Sequence, residues 1–300
     1  MTDHTQESWG QLSPPLLHYG CSLWKRSSQR AATLYNSGVK FWKKEDLEEI
    51  ERQLSNSRHT EKFTVRWIDG SIVQIKNPMF RTENPIWKPC VKFQDYWRLV
   101  EEPDSPPGTH FCSYLVDWDN QTTRDYEGRV ENAKSLFEVV KEPWESTITR
   151  RLLTEHIQEL LSGKKVTKII CFGLGNISCK VPEWRGIQDS SNEGPLEASI
   201  IQHSIALTIV DILRRRAEPG EVIRLLAQDP DYTDETKEVL TGLGFEIVGQ
   251  FGAGGFAEVD DQSVVFSAFV TAPVKQIIAD IARPILIIRS NRNEAFNSHG

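Results

Sequence analysis

The sequence has few of the features that mark secreted, membrane-spanning or metal-binding chains. Its 300 residues contain 5 cysteines, scattered over the chain without a CxxC pair, so no disulfide framework is expected. No run approaches the roughly 18 apolar residues of a membrane span. The first residues, MTDHTQESWGQ, have neither a basic stretch nor an apolar core like those of a signal peptide. We therefore expect a cytoplasmic protein with no membrane partner.

Acidic residues outnumber basic ones, and the sequence lacks the common metal-binding, phosphate-binding and hydrolase motifs. Lys and Arg number 35 against 42 Asp and Glu, a net charge of −7, which argues against DNA binding through a broad basic surface. The sequence contains no HExxH, no Cys/His cluster, no EF-hand loop, no GxxxxGK[ST] loop and no GxSxG elbow. We therefore expect no metal and no cofactor. The oligomeric state is not indicated.

Tryptophan is absent from the last third of the chain. All 9 tryptophans lie between Trp9 and Trp184. Residues 27–145 form an aromatic-rich region in which we expect an α+β arrangement. It includes a β-hairpin at FTVRWIDGSIVQI with a two-residue type I′ turn at Asp69-Gly70. We expect flexible tails at residues 1–26 and 290–300.

Residues 146–289 alternate short β-branched strands with helices. Strands are expected at residues 168–172, 222–227, 245–248, 263–269 and 285–288, with helices at 146–161, 197–216, 234–243 and 274–281. This rhythm is typical of parallel strands covered on both faces. The sequence therefore predicts an α/β protein with a Rossmann-like parallel-sheet core, in which ligands bind at the carboxyl ends of the strands.

The loop after the first of these strands is rich in glycine. Gly173 and Gly175 match the first two glycines of a dinucleotide fingerprint, but Ser178 stands where the third belongs. The acidic residue expected about 20 positions later is missing, which argues against nicotinamide binding. Two alternatives stay open: a tight packing turn, or a loop whose N–H groups, with Asn176 and Ser178, face a substrate.

Acidic residues cluster after the second strand. The helix N-terminus accounts for Asp234 and Glu235, with Thr233 as its N-cap. Asp229, Asp231 and the neighbouring Tyr232 precede that cap, at a strand end where carboxylates suit a cationic ligand such as a guanidinium.

Other candidate groups have simpler structural explanations. Asp260 and Asp261 precede a strand, so the opposite edge of the sheet is expected for them. Gln202 and His203 lie near the start of a largely apolar helix, where they either face the cleft or fill structural roles. The pairs Arg150-Arg151 and Lys164-Lys165 contact tRNA only if they converge.

Several segments resemble the Sensitivity-to-Red-light-Reduced domain family, over roughly residues 167–289. The resemblance rests on four segments: FGLGNIS, SIIQHSIA, LLAQDPDYTDETKEVLTGLGFEIV and VDDQSVVFSAFVTAPVKQIIADIARPILII. Founding members of the family are described as regulators linked to circadian timing and haem metabolism. Within its fungal branch, the chain is similar to arginine-containing cyclodipeptide synthases, which carry an acidic DDxxE motif.

The resemblance implies an enzyme that joins arginine from arginyl-tRNA to the amino acid of a second aminoacyl-tRNA. The product is a cyclo(Arg-Xaa) diketopiperazine, a secondary metabolite. The nearest matches to the acidic motif are Asp234-Glu235-Thr236-Lys237-Glu238 and Asp260-Asp261, and the sequence does not decide between them. The resemblance implies two sets of site residues, one catalytic and one substrate-binding. The catalytic set is Ser178, Asp234, Glu235 and Glu238, and the substrate-binding set is Gly173, Gly175, Asn176, Gln202, His203, Asp229, Asp231, Tyr232, Asp260 and Asp261. The alternative is a non-catalytic regulatory or ligand-binding protein.

Overall fold

A computed structural model describes residues 24–83, 85–100, 112–121, 128–180 and 194–289. Most of the expected tails, residues 1–23 and 290–300, therefore lie outside the described residues. The N-terminal elements are α1 (Trp24–Asn36), α2 (Lys44–Ser55), a short 3-10 turn (Ser57–His59), β1 (Lys62–Arg66), β2 (Ile72–Lys76), β3 (Trp87–Phe93), α3 (Tyr96–Val100) and β4 (Tyr114–Asn120). β1 pairs with β2 and β3 with β4, both antiparallel, so this region has the expected α+β character.

The predicted hairpin is present, but its predicted type I′ turn is wrong. The Trp67 N–H donates to the Ser71 carbonyl at 2.8 Å, so the loop has three residues instead of two. Gly70 adopts a positive φ of 87°, whereas Asp69 does not. A carboxylate oxygen of Asp69 accepts the Ser71 N–H at 2.9 Å, which stabilises this longer turn locally.

The remaining elements alternate along the second half of the chain. They are β5 (Gly128–Arg129), α4 (Ala133–Glu145), α5 (Ile148–Leu160), β6 (Lys168–Phe172), β7 (Cys179–Lys180), α6 (Gly194–Arg214), β8 (Arg224–Gln228), α7 (Asp234–Gly242), β9 (Glu246–Ile247), α8 (Gly254–Ala257), β10 (Ser263–Ser267), α9 (Val274–Ile281) and β11 (Leu286–Arg289). Five of these strands form one parallel sheet in the order β11-β10-β6-β8-β9. The predicted α/β class with a parallel sheet is therefore confirmed.

The direction of strand addition reverses between β6 and β10. From β6 the chain adds β8 and β9 on one side, and then returns to add β10 and β11 on the other. The loops that follow β6 and β10 consequently start side by side at the carboxyl edge of the sheet, and they leave in opposite directions. In open parallel sheets this is where a crevice forms.

Both faces of the sheet are covered, by different parts of the chain. Successive side chains of a strand point to opposite faces. Ile170 and Phe172 of β6 share a hydrophobic core with Trp42 and Phe63 of the N-terminal region. Ile169 and Cys171 lie in a second core with residues of α4, α5, α6 and α7. The N-terminal region is therefore one of the two layers that bury the sheet.

Among the described residues, one helix is long and apolar enough to cross a membrane by length and composition, namely α6. In the fold it packs against α4 and α5 and contributes Ile200, Ile209 and Leu213 to the second core. Its apolar character is thus accounted for by burial against the sheet.

Candidate functional site

The loop after β6 is shaped by two glycines in left-handed conformations. Gly173 has φ 63° and Gly175 has φ 82°. A Cβ atom at Gly173 would lie 2.6 Å from the side chain of Val270, and one at Gly175 would overlap Ser199 Oγ. Only glycine fits at either position, because the loop after β10 and the start of α6 both press against this turn.

The backbone N–H groups of both glycines donate to the protein itself. The Gly173 N–H bonds the Gln228 carbonyl at 3.0 Å, and the Gly175 N–H bonds a carboxylate oxygen of Asp229 at 2.9 Å. The second Asp229 oxygen accepts the Asp231 N–H at 3.0 Å. Asp229 therefore joins the loops after β6 and β8. The N-terminus of α7 does not explain why an acidic residue stands at position 229. The hydrogen bond to the Gly175 N–H does.

Ser178 is buried in a cluster of hydroxyl and amide groups. It is 1% exposed, and its Oγ lies 2.5 Å from Thr233 Oγ1, 3.0 Å from Thr236 Oγ1 and 3.1 Å from Asn176 Oδ1. Thr233 is the expected N-cap of α7 and accepts the Thr236 N–H. Within the part of the chain that the structure describes, the Ser178 hydroxyl bonds no carboxylate, imidazole or amine. In this arrangement Ser178 ties the glycine loop to the first turn of α7.

Asn176 and Thr236 complete this cluster. Asn176 Oδ1 accepts the Thr236 hydroxyl at 2.5 Å and the Ser178 N–H at 2.9 Å. Its amide Nδ2 donates to the Asp231 carbonyl at 2.9 Å. The sequence did not single out Thr236. The only available signal was its place three residues after an N-cap, which is not enough to predict a side chain reaching back to another loop.

His203 and Tyr232 form a fully buried pair beneath the acidic loop. His203 Nδ1 lies 2.7 Å from the Ser199 carbonyl, which only accepts, so Nδ1 carries the proton. Nε2 then accepts the Tyr232 hydroxyl at 2.9 Å. Burial lowers the pKa of the His203 imidazole to about 4, while burial and the nearby Asp229 carboxylate raise the pKa of Tyr232 well above its usual value. Both groups are neutral at physiological pH, and they anchor the acidic loop to α6.

Gln202, the neighbour of His203, is partly buried. Its Oε1 is a buried atom without a hydrogen-bond partner among the described residues.

The acidic residues of α7 lie on its exposed side. Asp234, Glu235 and Glu238 are exposed, and the Asp234 side chain is 99% accessible. Asp234 pairs with Lys237 at 3.0 Å, one helical turn away. The structure places these carboxylates at the same carboxyl edge as the glycine loop. Among the described residues, however, none of the three is hydrogen-bonded to Ser178.

Asp260 and Asp261 lie at the opposite, amino edge of the sheet, just before β10. Asp260 pairs with Lys168 at 2.9 Å, and Asp261 accepts the Arg283 N–H at 2.7 Å. Burial opposes ionisation of Asp260, but hydrogen bonds from Lys168 and Ser263 outweigh it and hold its pKa below the usual value. These two carboxylates are therefore separated from the glycine loop by the length of the strands.

Comparison with known proteins supplies an independent view of this half of the chain. Residues 151–296 match the family model described as the SRR1 domain. This half of the chain is therefore similar to the SRR1 domain. The match confirms the resemblance to the Sensitivity-to-Red-light-Reduced domain, and it covers every candidate site residue named above. No curated protein and no solved structure matches the chain.

Two further features of this half of the chain concern the binding of metal ions and of tRNA. Among the described residues, no group of three His, Cys, Asp or Glu side chains is arranged to hold a metal ion. The basic pairs considered for tRNA contact lie near opposite ends of α5, whose 13 residues are about 20 Å long at 1.5 Å per residue. Arg150 pairs with Glu145, and Lys165 pairs with Glu221. These pairs do not converge into one patch.

Proposed function

We propose that the chain is a tRNA-dependent cyclodipeptide synthase that uses arginine, of the fungal type, acting in the cytoplasm, where charged tRNAs are found. It would join arginine from arginyl-tRNA to the amino acid of a second aminoacyl-tRNA and close a cyclo(Arg-Xaa) diketopiperazine. The strand order supports a Rossmann-like core for the SRR1 domain. Read in chain order the sheet is 5-4-1-2-3, which is the first five positions of the doubly wound dinucleotide fold.

The observation that carries the proposal is the position of the acidic segment. Asp231, Asp234 and Glu238 are exposed at the carboxyl edge, and Asp229 and Asn176 tie this segment directly to the glycine loop. Asp234 and Glu238 are four residues apart, so they share a helix face. Two carboxylates on one face are suited to a guanidinium, and an ion pair as exposed as Asp234–Lys237 is readily exchanged for a ligand.

The reaction requires little chemical machinery. An aminoacyl ester is already activated, so attack by an α-amine on its carbonyl needs orientation, removal of one proton from the amine and stabilisation of the oxyanion. Each tRNA leaves once, and its ribose oxygen takes up a proton. The first leaves when its aminoacyl group passes to Ser178 Oγ, the second when the α-amine of that group attacks its ester, and ring closure then returns the Ser178 hydroxyl. Glu235 is the proposed proton carrier, because it is exposed at this edge and is not one of the two carboxylates proposed to hold the guanidinium.

Ser178 is the proposed acceptor of a transient aminoacyl group. Its burial means that the first turn of α7 must move before an ester reaches Oγ. A Ser178→Ala variant tests this role directly. Loss of product in a folded variant supports an acyl carrier. Retained product at a reduced rate assigns Ser178 to positioning of the glycine loop and removes it from the catalytic set.

The proposed function is tested by metabolite analysis of a heterologous host that expresses the full chain. We expect a new arginine-containing diketopiperazine by mass spectrometry. A double variant, Asp234→Asn with Glu238→Gln, should lower its yield roughly 10- to 100-fold, the effect of losing hydrogen bonds to a charged group. Glu155→Gln removes one charge on an exposed face of α5 and is the control. Absence of any such product from the wild type would refute the proposal.

A non-catalytic, ligand-binding role is the second candidate. It is favoured by the closed hydrogen bonding of Ser178 and by the neutral, buried state of His203, which leave neither of them prepared as a nucleophile or base. Under this role the wild-type chain yields no dipeptide, and the double variant still weakens binding of free arginine or another guanidinium ligand.

A further inference from the structure

An exposed aromatic surface lies beside the carboxyl edge, on the side opposite the acidic segment. Trp97 of α3 is 59% exposed and Tyr35 of α1 is 41% exposed. The ring of Tyr96 links them, with its centroid 4.7 Å from that of Tyr35 and 5.0 Å from that of Trp97. Most large aromatic side chains of soluble proteins are at least partly covered, so a contiguous exposed group of this kind marks an interaction site.

Hydrogen bonds connect this surface to the glycine loop. The Tyr96 N–H donates to Gln276 Oε1 at 2.6 Å, and Gln276 lies in the first turn of α9. The loop that leads into α9 follows β10, and its Phe269 N–H donates to the Gly173 carbonyl at 3.0 Å. Phe269 itself is 48% exposed. The glycine loop therefore lies between the acidic segment and the loop that leads into α9, and the aromatic surface contacts the first turn of α9.

The charge around the aromatic surface is opposite to that of the chain as a whole. Arg30 of α1 pairs with Asp69 at 2.7 Å, and Asp95, the exposed acid next to the rings, accepts the Arg98 N–H at 2.8 Å. Lys40, Arg98 and Lys275 are exposed on the segments that border the rings. The carboxylate of Asp280, on α9, accepts the Phe41 and Trp42 N–H groups and is directed into the protein. Exposed aromatic rings with flanking cations are the usual combination for unpaired nucleotides, because bases stack on the rings while cations neutralise the phosphates.

We propose that Tyr35, Tyr96 and Trp97 form the stacking platform for the unpaired 3′ nucleotides of tRNA. This inference rests on the proposed function and specifies how its substrate is oriented. The aminoacyl ester joins the terminal ribose to the amino acid. With the bases on the aromatic surface and an arginine side chain at the acidic segment, the ester carbonyl falls at the glycine loop between them. Two strand spacings, about 10 Å, separate β10 from β8, and the aromatic surface lies farther out, where α3 contacts α9.

The test measures binding of a tRNA transcript with an intact CCA end to the full chain, and of the same transcript lacking these three nucleotides. We expect Trp97→Ala to weaken binding of the intact transcript about 5- to 100-fold, the range found for loss of one base–aromatic stack. Removal of CCA should weaken wild-type binding similarly, and should have little further effect on the variant, since both changes remove the same contact.

Control variants separate stacking from damage to the fold. Trp87→Ala removes an equally large, partly exposed ring from the far end of β3 and should leave binding unchanged. Trp97→Phe keeps an aromatic face and should recover most of the affinity. Equal affinity of wild type and Trp97→Ala for the intact transcript would overturn the inference, and so would a Trp97→Ala effect that persists without CCA. If the wild type makes the diketopiperazine in either case, the proposed function survives. A wild type that neither binds tRNA nor makes product refutes both.

Discussion

Replacement of Glu51 by alanine tests how the N-terminal region is joined to the SRR1-like half of the chain. The Glu51 carboxylate of α2 accepts three backbone N–H groups from a loop some 200 residues away, those of Phe251, Ala253 and Gly254, at 3.0, 3.0 and 3.1 Å. Ala253 is completely buried, so water does not replace its partner without a rearrangement. At about 1 kcal/mol net for each bond, the Glu51→Ala variant should lose about 3 kcal/mol of unfolding free energy.

The assay is urea unfolding followed by tryptophan fluorescence, with amide hydrogen exchange at residues 251–254 as a local probe. Glu48→Ala is the matched control, one turn earlier on α2 and exposed, and should change stability by less than about 0.5 kcal/mol. Glu51→Gln keeps one carbonyl oxygen and should lose about half as much as Glu51→Ala. Equal stability of the Glu51→Ala and Glu48→Ala variants, with unchanged exchange at Ala253, would show that the three bonds do not hold the two parts together.

Three further predictions address the sheet edge and its loops. His203 binds a proton at about pH 4 when folded but near pH 6.5 when unfolded, so stability should fall by up to about 3 kcal/mol as pH drops through this window. His203→Gln should flatten that slope in urea titrations between pH 7.5 and 4.5. Gly249→Ala places a Cβ onto Gln228 Oε1 and should cost several kcal/mol, whereas Gly220→Ala, at a similar positive φ but in open space, should cost about 1 kcal/mol by calorimetry. Asn176→Ala breaks the cluster that joins the glycine loop to α7 and should lower stability by about 2 to 3 kcal/mol, with a thermal shift at least twice that of Ser178→Ala.

Local patterns predicted most of the sheet and its helices. Both ends of β6 were predicted correctly. An apolar run that lies between a basic segment and two glycines fits few secondary structures other than a short buried strand. The same holds for α9, which follows a proline and has regular apolar spacing. The predicted hairpin turn was wrong, because Asp-Gly permits two turn geometries. The longer turn is stabilised by hydrogen bonds that the Ser71 N–H and hydroxyl donate to the Asp69 carboxylate.

The candidate site was harder to predict, because its contacts join distant segments. The acidic loop and the glycine loop were recognised separately, but nothing local indicated that Asp229 bonds the Gly175 N–H, or that Ser178 is enclosed by Thr233 and Thr236. The role of Glu51 was not predicted at all. On α2 it is one of several acidic residues, and only the folded chain distinguishes the one that faces a glycine-rich loop.

The shared core has a consequence for the order in which the chain folds during synthesis. Trp42, Leu47 and Phe63 are made early, yet they pack with Ile170, Val265 and Ile277, the last of which is made more than 200 residues later. Until then the first region has an uncovered apolar side, as does a fragment limited to residues 151–296, which would lack the layer over Ile170 and Phe172. The nascent chain is thus exposed to aggregation until these later residues emerge, and chaperone dependence is expected to follow from the layering of this sheet.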